Sequence, residues 1–232
     1  MLRGILAIWL VTFASAAAIA GEIGNTPAAS SYRWDGYYVG GHIGGAWGDQ
    51  DATIVPDIFI LPPRSRIPQD QDGVVYGAQG GFNYQTGAWV TGIEGTFSGT
   101  SLDGAGHRDS LVPDFTVYTS GDINWLASIV GRFGYAHDRT LLYVKGGVAW
   151  LDFDFEGHSE FSGTYAGGGK VDDRRTGWTL GVGVEYALSP NWSTRLEYSY
   201  FDFGSEDYTI NLTPIEIDMA LHSLQLGLNY RF

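Results

Sequence analysis

The closing stretch Leu221-His-Ser-Leu-Gln-Leu-Gly-Leu-Asn-Tyr-Arg-Phe232 decides how the rest of the chain is read. From Leu224 onward every second residue is large and apolar: Leu224, Leu226, Leu228, Tyr230 and Phe232. Between them stand Gln225, Gly227, Asn229 and Arg231. Successive side chains on a strand point to opposite faces, so a two-residue period describes a strand with one apolar and one polar face. The sequence stops on Phe232, whereas the ends of soluble domains tend to be polar and frayed. An apolar face turned outward into lipid accounts for both features.

The same alternation recurs over 36–47, 74–84, 89–98, 123–135, 141–151, 177–188 and 192–201. Short turns are expected at Gln85-Thr86-Gly87, His137-Asp138-Arg139 and Ser189-Pro190-Asn191, where turn-forming residues gather. Long connections are expected over 48–73, 99–122, 152–176 and 202–220. Long connections on one side and short turns on the other describe an all-β fold: an eight-stranded antiparallel up-and-down transmembrane β-barrel, with four long extracellular loops and short periplasmic turns. A soluble eight-stranded barrel would fill its interior with hydrophobes. Here one face of nearly every strand carries Gly, Ser, Asn and full charges, and unpaired charge is costly to bury in an apolar core. The apolar face must point outward.

The aromatic residues sort by strand direction. Trp47, Trp125, Trp150 and Trp178 fall at the long-connection end, and Trp89, Tyr135, Tyr186, Trp192, Tyr230 and Phe232 at the short-turn end. The two girdles lie about 8 to 10 residues apart along a strand, roughly 20–25 Å at the usual rise and tilt, which matches the apolar band of such barrels.

Composition agrees. The chain has 232 residues, no Cys, 34 Gly, 8 Trp, 14 Tyr, 12 Phe and a formal net charge of −13. Disulfides and thiolate metal sites are excluded, and an acidic balance argues against nucleic acid as a partner, which needs a basic footprint. A helical span needs about 20 consecutive apolar residues; the N-terminus alone comes close. There, Met1-Leu-Arg3, an apolar run and Ala18-Ile19-Ala20 predict a signal peptide over 1–20, followed by a linker over 21–33 and the barrel over 34–232.

Several motifs carry a family resemblance: Gly-Tyr-Tyr-Val-Gly-Gly (36–41), Gly-Arg-Phe-Gly-Tyr-Ala (131–136), Leu-Leu-Tyr-Val-Lys-Gly-Gly-Val-Ala-Trp (141–150), Gly-Trp-Thr-Leu-Gly-Val-Gly-Val-Glu-Tyr-Ala (177–187) and the closing Leu-Gly-Leu-Asn-Tyr-Arg-Phe. They resemble alphaproteobacterial outer-membrane β-barrels of the porin-like, outer-membrane immunogenic protein family. The resemblance implies a place in the bacterial outer membrane. It also implies that Phe232, with the alternation before it, is the assembly signal read by the barrel-assembly machinery.

Candidate chemistry lies in the lumen and the loops. Glu94, Arg132, Lys145, Glu185, Arg195 and Glu197 take inward positions near the short-turn end, forming one charge belt. Glu185 and Arg195 are equidistant from the Pro190 turn and are expected to face each other across adjacent strands. Arg132 and Lys145 also come near one another, so carboxylates must reach between them. The belt reads either as an ion-selecting constriction or as a paired polar plug, and an eight-stranded barrel has room inside only for side chains.

Over 48–73, 99–122, 152–176 and 204–220 stand 19 Asp plus Glu against 6 Lys plus Arg, a difference equal to the whole chain's net charge. Such loops suit divalent-cation bridging to lipopolysaccharide, or simply a solvated surface. His107 and His158 are loop histidines, and His42 is expected to face the lumen. His222 and Ser223 are adjacent on a strand, so they point apart and form no nucleophile–base pair. The expectation is no enzyme, no metal site and no cofactor. Three readings stay open: a structural, surface-displaying barrel, a narrow porin, and an adhesin or haem-binding receptor acting through its loops.

Overall fold

The computed structural model of the chain describes residues 32–54, 65–109, 113–210 and 213–232. The expected signal peptide and linker residues 21–31 lie outside the described residues. Eight strands follow in order: β1 (Gly36–Ile54), β2 (Ser65–Thr86), β3 (Trp89–Asp109), β4 (Phe115–His137), β5 (Thr140–Phe161), β6 (Thr164–Ala187), β7 (Trp192–Ile210) and β8 (Thr213–Arg231). Each pairs antiparallel with its sequence neighbour, and β8 pairs with β1, so the sheet closes into a barrel. The seam ends where the Phe232 amide donates to the Tyr37 carbonyl, 3.1 Å away. The short turns include Gly87 at φ 61° and Asp138 at φ 52°, left-handed positions that tight hairpins require.

Within the membrane the outward positions are apolar and exposed, among them Tyr37, Ile43, Ile93, Phe133, Leu180 and Leu226. The strands then run much further than the apolar-outward pattern indicates, through most of the long connections. The alternation persists there but its sense inverts. In Asp152-Phe153-Asp154-Phe155-Glu156 the two Phe are buried and the acidic residues point out. On β8, Ile215, Ile217, Met219 and Leu221 are buried, whereas Leu224, Leu226 and Leu228 are exposed. The reason is the solvent: outside the membrane the outer face meets water, so the apolar side turns inward as in a soluble protein.

These inward residues form a continuous extracellular core that includes Leu102, Ile123, Phe153, Phe155, Phe203 and Ile217. The lumen is therefore polar toward the periplasm and apolar toward the outside. The sequence reading expected long connections over most of these residues, where strands with an apolar inner face stand.

The β4 ladder carries an irregularity between Ile123 and Trp125. The irregularity turns Asn124 outward, where its Nδ2 donates to Asp152, 3.2 Å away; unbroken alternation from the inward Ser128 and Arg132 would put Asn124 in the lumen. The pairing of β2 with β3 ends at Asp72 opposite Asp103, and that of β6 with β7 at Trp178 opposite Asp202. Among the described residues, the ring thus opens above the membrane into two four-stranded sheets, β7-β8-β1-β2 and β3-β4-β5-β6. Arg175 ties them together: from β6 its Nη1 donates to the carbonyls of Gly204 (3.2 Å) and Ile217 (2.9 Å). The Tyr208 hydroxyl on β7 adds a bond to Asp173 of β6 at 2.8 Å.

Candidate functional site

The inward charges meet on the barrel axis. Glu94, Arg132, Lys145, Glu185, Arg195 and Glu197 are each no more than 6% exposed. Glu94 is the hub. Its Oε2 accepts from Arg195 Nη1 (2.6 Å), the Tyr38 hydroxyl (2.7 Å) and Arg132 Nη1 (3.2 Å), and its Oε1 lies 3.8 Å from Lys145 Nζ. Glu185 takes Arg132 Nη2 at 2.9 Å, the Ser193 hydroxyl at 2.5 Å and Asn229 Nδ2 at 3.0 Å. Glu197 takes Lys145 Nζ at 2.6 Å and the Tyr143 hydroxyl at 2.7 Å. Three carboxylates thus pair with Arg132, Lys145 and Arg195, and Arg231 Nη2 lies 3.8 Å from Glu185 as a fourth buried cation.

Glu185 and Arg195 are register partners, as their distances from Pro190 require, yet the ion pairs formed are different ones. Arg195 reaches across to Glu94, and Glu185 takes Arg132. In so narrow a barrel, long side chains extend to the axis, where one carboxylate can serve donors from several staves. Arg132 and Lys145 are also register partners, and Glu94 lies within reach of both.

The network extends into residues that charge alone does not reveal. His42 bonds Gln79 through Nδ1 (2.6 Å) and Ser98 through Nε2 (2.8 Å), and Gln79 donates to Asn229 at 2.7 Å. The Arg132 guanidinium lies 4.0 Å from the Tyr143 ring centroid. Tyr38 and Tyr143 were legible only as aromatics at inward parity. A second signal is glycine: a Cβ on Gly183 would stand 2.4 Å from the Tyr143 ring, and one on Gly227 would stand 2.9 Å from Arg195. These glycines clear the space that large inward side chains occupy.

Below the network the N-terminal approach seals the periplasmic mouth. Trp34 is fully buried among Val90, Leu141, Tyr143 and Ala187. Its amide donates to Gln85 Oε1 at 2.6 Å, and Arg231 lies over its ring at 4.7 Å and over that of Tyr32 at 5.3 Å.

On the outer surface, Trp89 stacks on Phe133 and meets Tyr135 edge-on, and Trp192, Tyr230 and Phe232 form an edge-on series. Tyr186 is exposed. At the other end Trp47 stacks on His222, Phe97 on Trp125, and Trp178 meets Tyr200; Trp150 lies opposite Ala127 and is half-buried. His222 bonds the Tyr198 hydroxyl at 2.7 Å on the outer face while Ser223 is buried inside, so the two form no dyad. His107 and His158 stand on β3 and β5 with Tyr118 between them. Among the described residues no group of three or more His, Asp or Glu is placed to hold a metal ion.

With this geometry in view, residues 7–232 match the model of the outer membrane protein beta-barrel domain. The chain belongs to that family. It is 28% identical to the 31 kDa outer-membrane immunogenic protein of Brucella melitensis, with 98% of each chain covered. It is 26% identical to the 22 kDa outer membrane protein of Rhizobium leguminosarum bv. viciae, over 90% of this chain and 82% of that one. Among solved structures, the outer membrane protein OprG of Pseudomonas aeruginosa shares the fold at a TM-score of 0.54 and 14% identity, over 85% of this chain and 96% of that one. This family member is an outer-membrane protein.

Two predictions follow from the lumen and the closing strand. Glu94→Gln leaves Arg132, Arg195 and Lys145 without their shared carboxylate, and breaking a buried pair costs about 3–5 kcal/mol. The urea midpoint of the barrel in detergent should fall accordingly, and the double variant Glu94→Gln/Arg195→Met should recover part of the loss. If Phe232 is the assembly signal, its deletion lowers the yield of heat-modifiable barrel in the outer membrane; normal yield would count against that role.

Proposed function

We propose that this outer-membrane protein is a closed structural element of the envelope that displays an acidic extracellular sheet and conducts nothing. The observation that carries this reading is the double filling of the lumen: an ion-paired, hydrogen-bonded charge layer toward the periplasm and a packed apolar core above it. A porin needs a continuous aqueous path, and an eight-stranded interior is only wide enough for its own side chains. The purified barrel in planar bilayers is expected to give no stable unitary conductance. Reproducible open levels would overturn this in favour of a narrow porin.

The outer surface supports a second reading, association with lipopolysaccharide through divalent cations. Asp72, Asp103, Asp122, Asp154 and Asp172 are successive register partners across β2 to β6, and like charges directly opposite destabilise a sheet. Lys170 relieves one end of the row, 3.5 Å from Asp154 and 3.0 Å from Asp172; its hydrogen bond holds the Asp172 carboxyl below its ordinary value. Divalent ions shared with lipid phosphates would relieve the remainder. In vesicles containing lipopolysaccharide, EDTA should lower the melting temperature of the wild type but leave Asp103→Asn/Asp122→Asn/Asp154→Asn largely unmoved. A triple variant that kept the full EDTA response would sink the bridging reading.

A further inference from the structure

The extracellular half of the β3–β6 sheet carries a ladder of aromatic and imidazole rings on its outward face. His107, Tyr118 and His158 are successive register partners on β3, β4 and β5, and Tyr165 on β6 completes the row. Neighbouring ring centroids lie 6.1, 5.1 and 6.4 Å apart, with interplanar angles of 31°, 17° and 27°. Gly168, the register partner of His158, makes room for the row: a Cβ there would come within 2.8 Å of the His158 Cβ. Tyr165 is 65% exposed. These rings serve neither the lumen network nor the extracellular core.

The chemistry around the ladder narrows its partner. Each ring combines apolar carbon surface with a polar atom, which suits a ligand that is apolar on its ring faces and hydroxylated at its edges. Below the row run Asp103, Asp122, Asp154 and Asp172, and beside it the Glu160 carboxylate lies 4.0 Å from His158 Nε2. Carboxylates accept hydrogen bonds from hydroxyls and repel phosphate, sulfate and nucleic acid. That combination describes a neutral sugar.

The location narrows the source. The ladder occupies the same outward face that meets lipid further down, so the surface continues from the membrane interface. His158 lies eight residues beyond Trp150, which at a rise of about 3.3 Å and a tilt of about 40° places it roughly 20 Å above the outer aromatic belt. What stands beside the barrel at that height is the sugar portion of the outer-leaflet glycolipid.

We propose that the His107–Tyr118–His158–Tyr165 ladder docks the neutral core sugars of the surrounding lipopolysaccharide. This deepens the lipopolysaccharide reading above and rests on it for the partner, but the contact needs no cation. The test is saturation-transfer NMR between the full-length barrel in detergent, with EDTA present, and core oligosaccharide released from native lipopolysaccharide by mild acid. Saturation is expected to reach the sugar C–H protons. Tyr118→Ala/Tyr165→Ala should weaken binding about tenfold, whereas Tyr118→Phe/Tyr165→Phe should stay within about threefold of wild type.

Both variants are first checked for heat-modifiable migration. If the double alanine variant fails to assemble, Tyr165→Ala alone, at the exposed end of the row, is expected to weaken binding about threefold. No saturation transfer from the wild type, or equal binding by an assembled alanine variant, overturns the proposal. Because EDTA is present throughout, a failure of cation bridging leaves this signal intact, and loss of this signal with an intact EDTA response removes the ladder alone.

Discussion

Everything in this protein depends on closure of the hydrogen-bond ladder. Lipid offers no partner to a backbone amide or carbonyl, so a sheet can cross the membrane only with both edges removed. The pairing of β8 with β1 removes them. Closing eight staves also fixes the bore, and a bore of that size admits side chains and little else. The charge layer, the glycines beside it and the outward hydrophobes are consequences of that one geometric commitment.

Inside that bore, charges are tolerable only if they are paired. Glu94, Glu185 and Glu197 each accept from more than one donor, and tyrosine, serine and asparagine fill the remaining positions. Such a network is a weak source of net stability, since desolvation offsets most of the attraction, but removing one member leaves its partners uncompensated. In the observed register Arg195 meets Glu94 and Arg132 meets Glu185, so each guanidinium has a carboxylate within the bore.

The strands keep their period-2 pattern from end to end, yet the pattern changes meaning at the outer aromatic belt. Below it the medium outside is lipid and the interior polar; above it the medium is water and the interior apolar. The change is visible on β5 between Trp150 and Phe153, and on β8 between Leu221 and Leu224. One chain thereby builds an inside-out barrel and a conventional two-sheet core on the same staves, and the acidic face of the upper part is the surface presented beyond the membrane.

Strand number, closure and the outward apolar set were legible from sequence, because alternation and turn chemistry are local properties of the chain. The acidic excess outside the membrane could also be counted directly. The extent of the strands was not legible, because Asp152 to Glu156 reads as a loop until the solvent on its outer face is known. Nor was Asn124, whose outward position depends on an irregularity that one strand's sequence does not announce. The lumen charges could be listed but not paired: Glu185 and Arg195 are neighbours by register, and their ion-pair partners are chosen across the axis. The sequence by itself determined that this chain is a membrane barrel and which face meets lipid. The tertiary structure alone decided who meets whom inside and on the extracellular face, because those contacts join staves far apart in the chain, and only closure of the barrel brings them together.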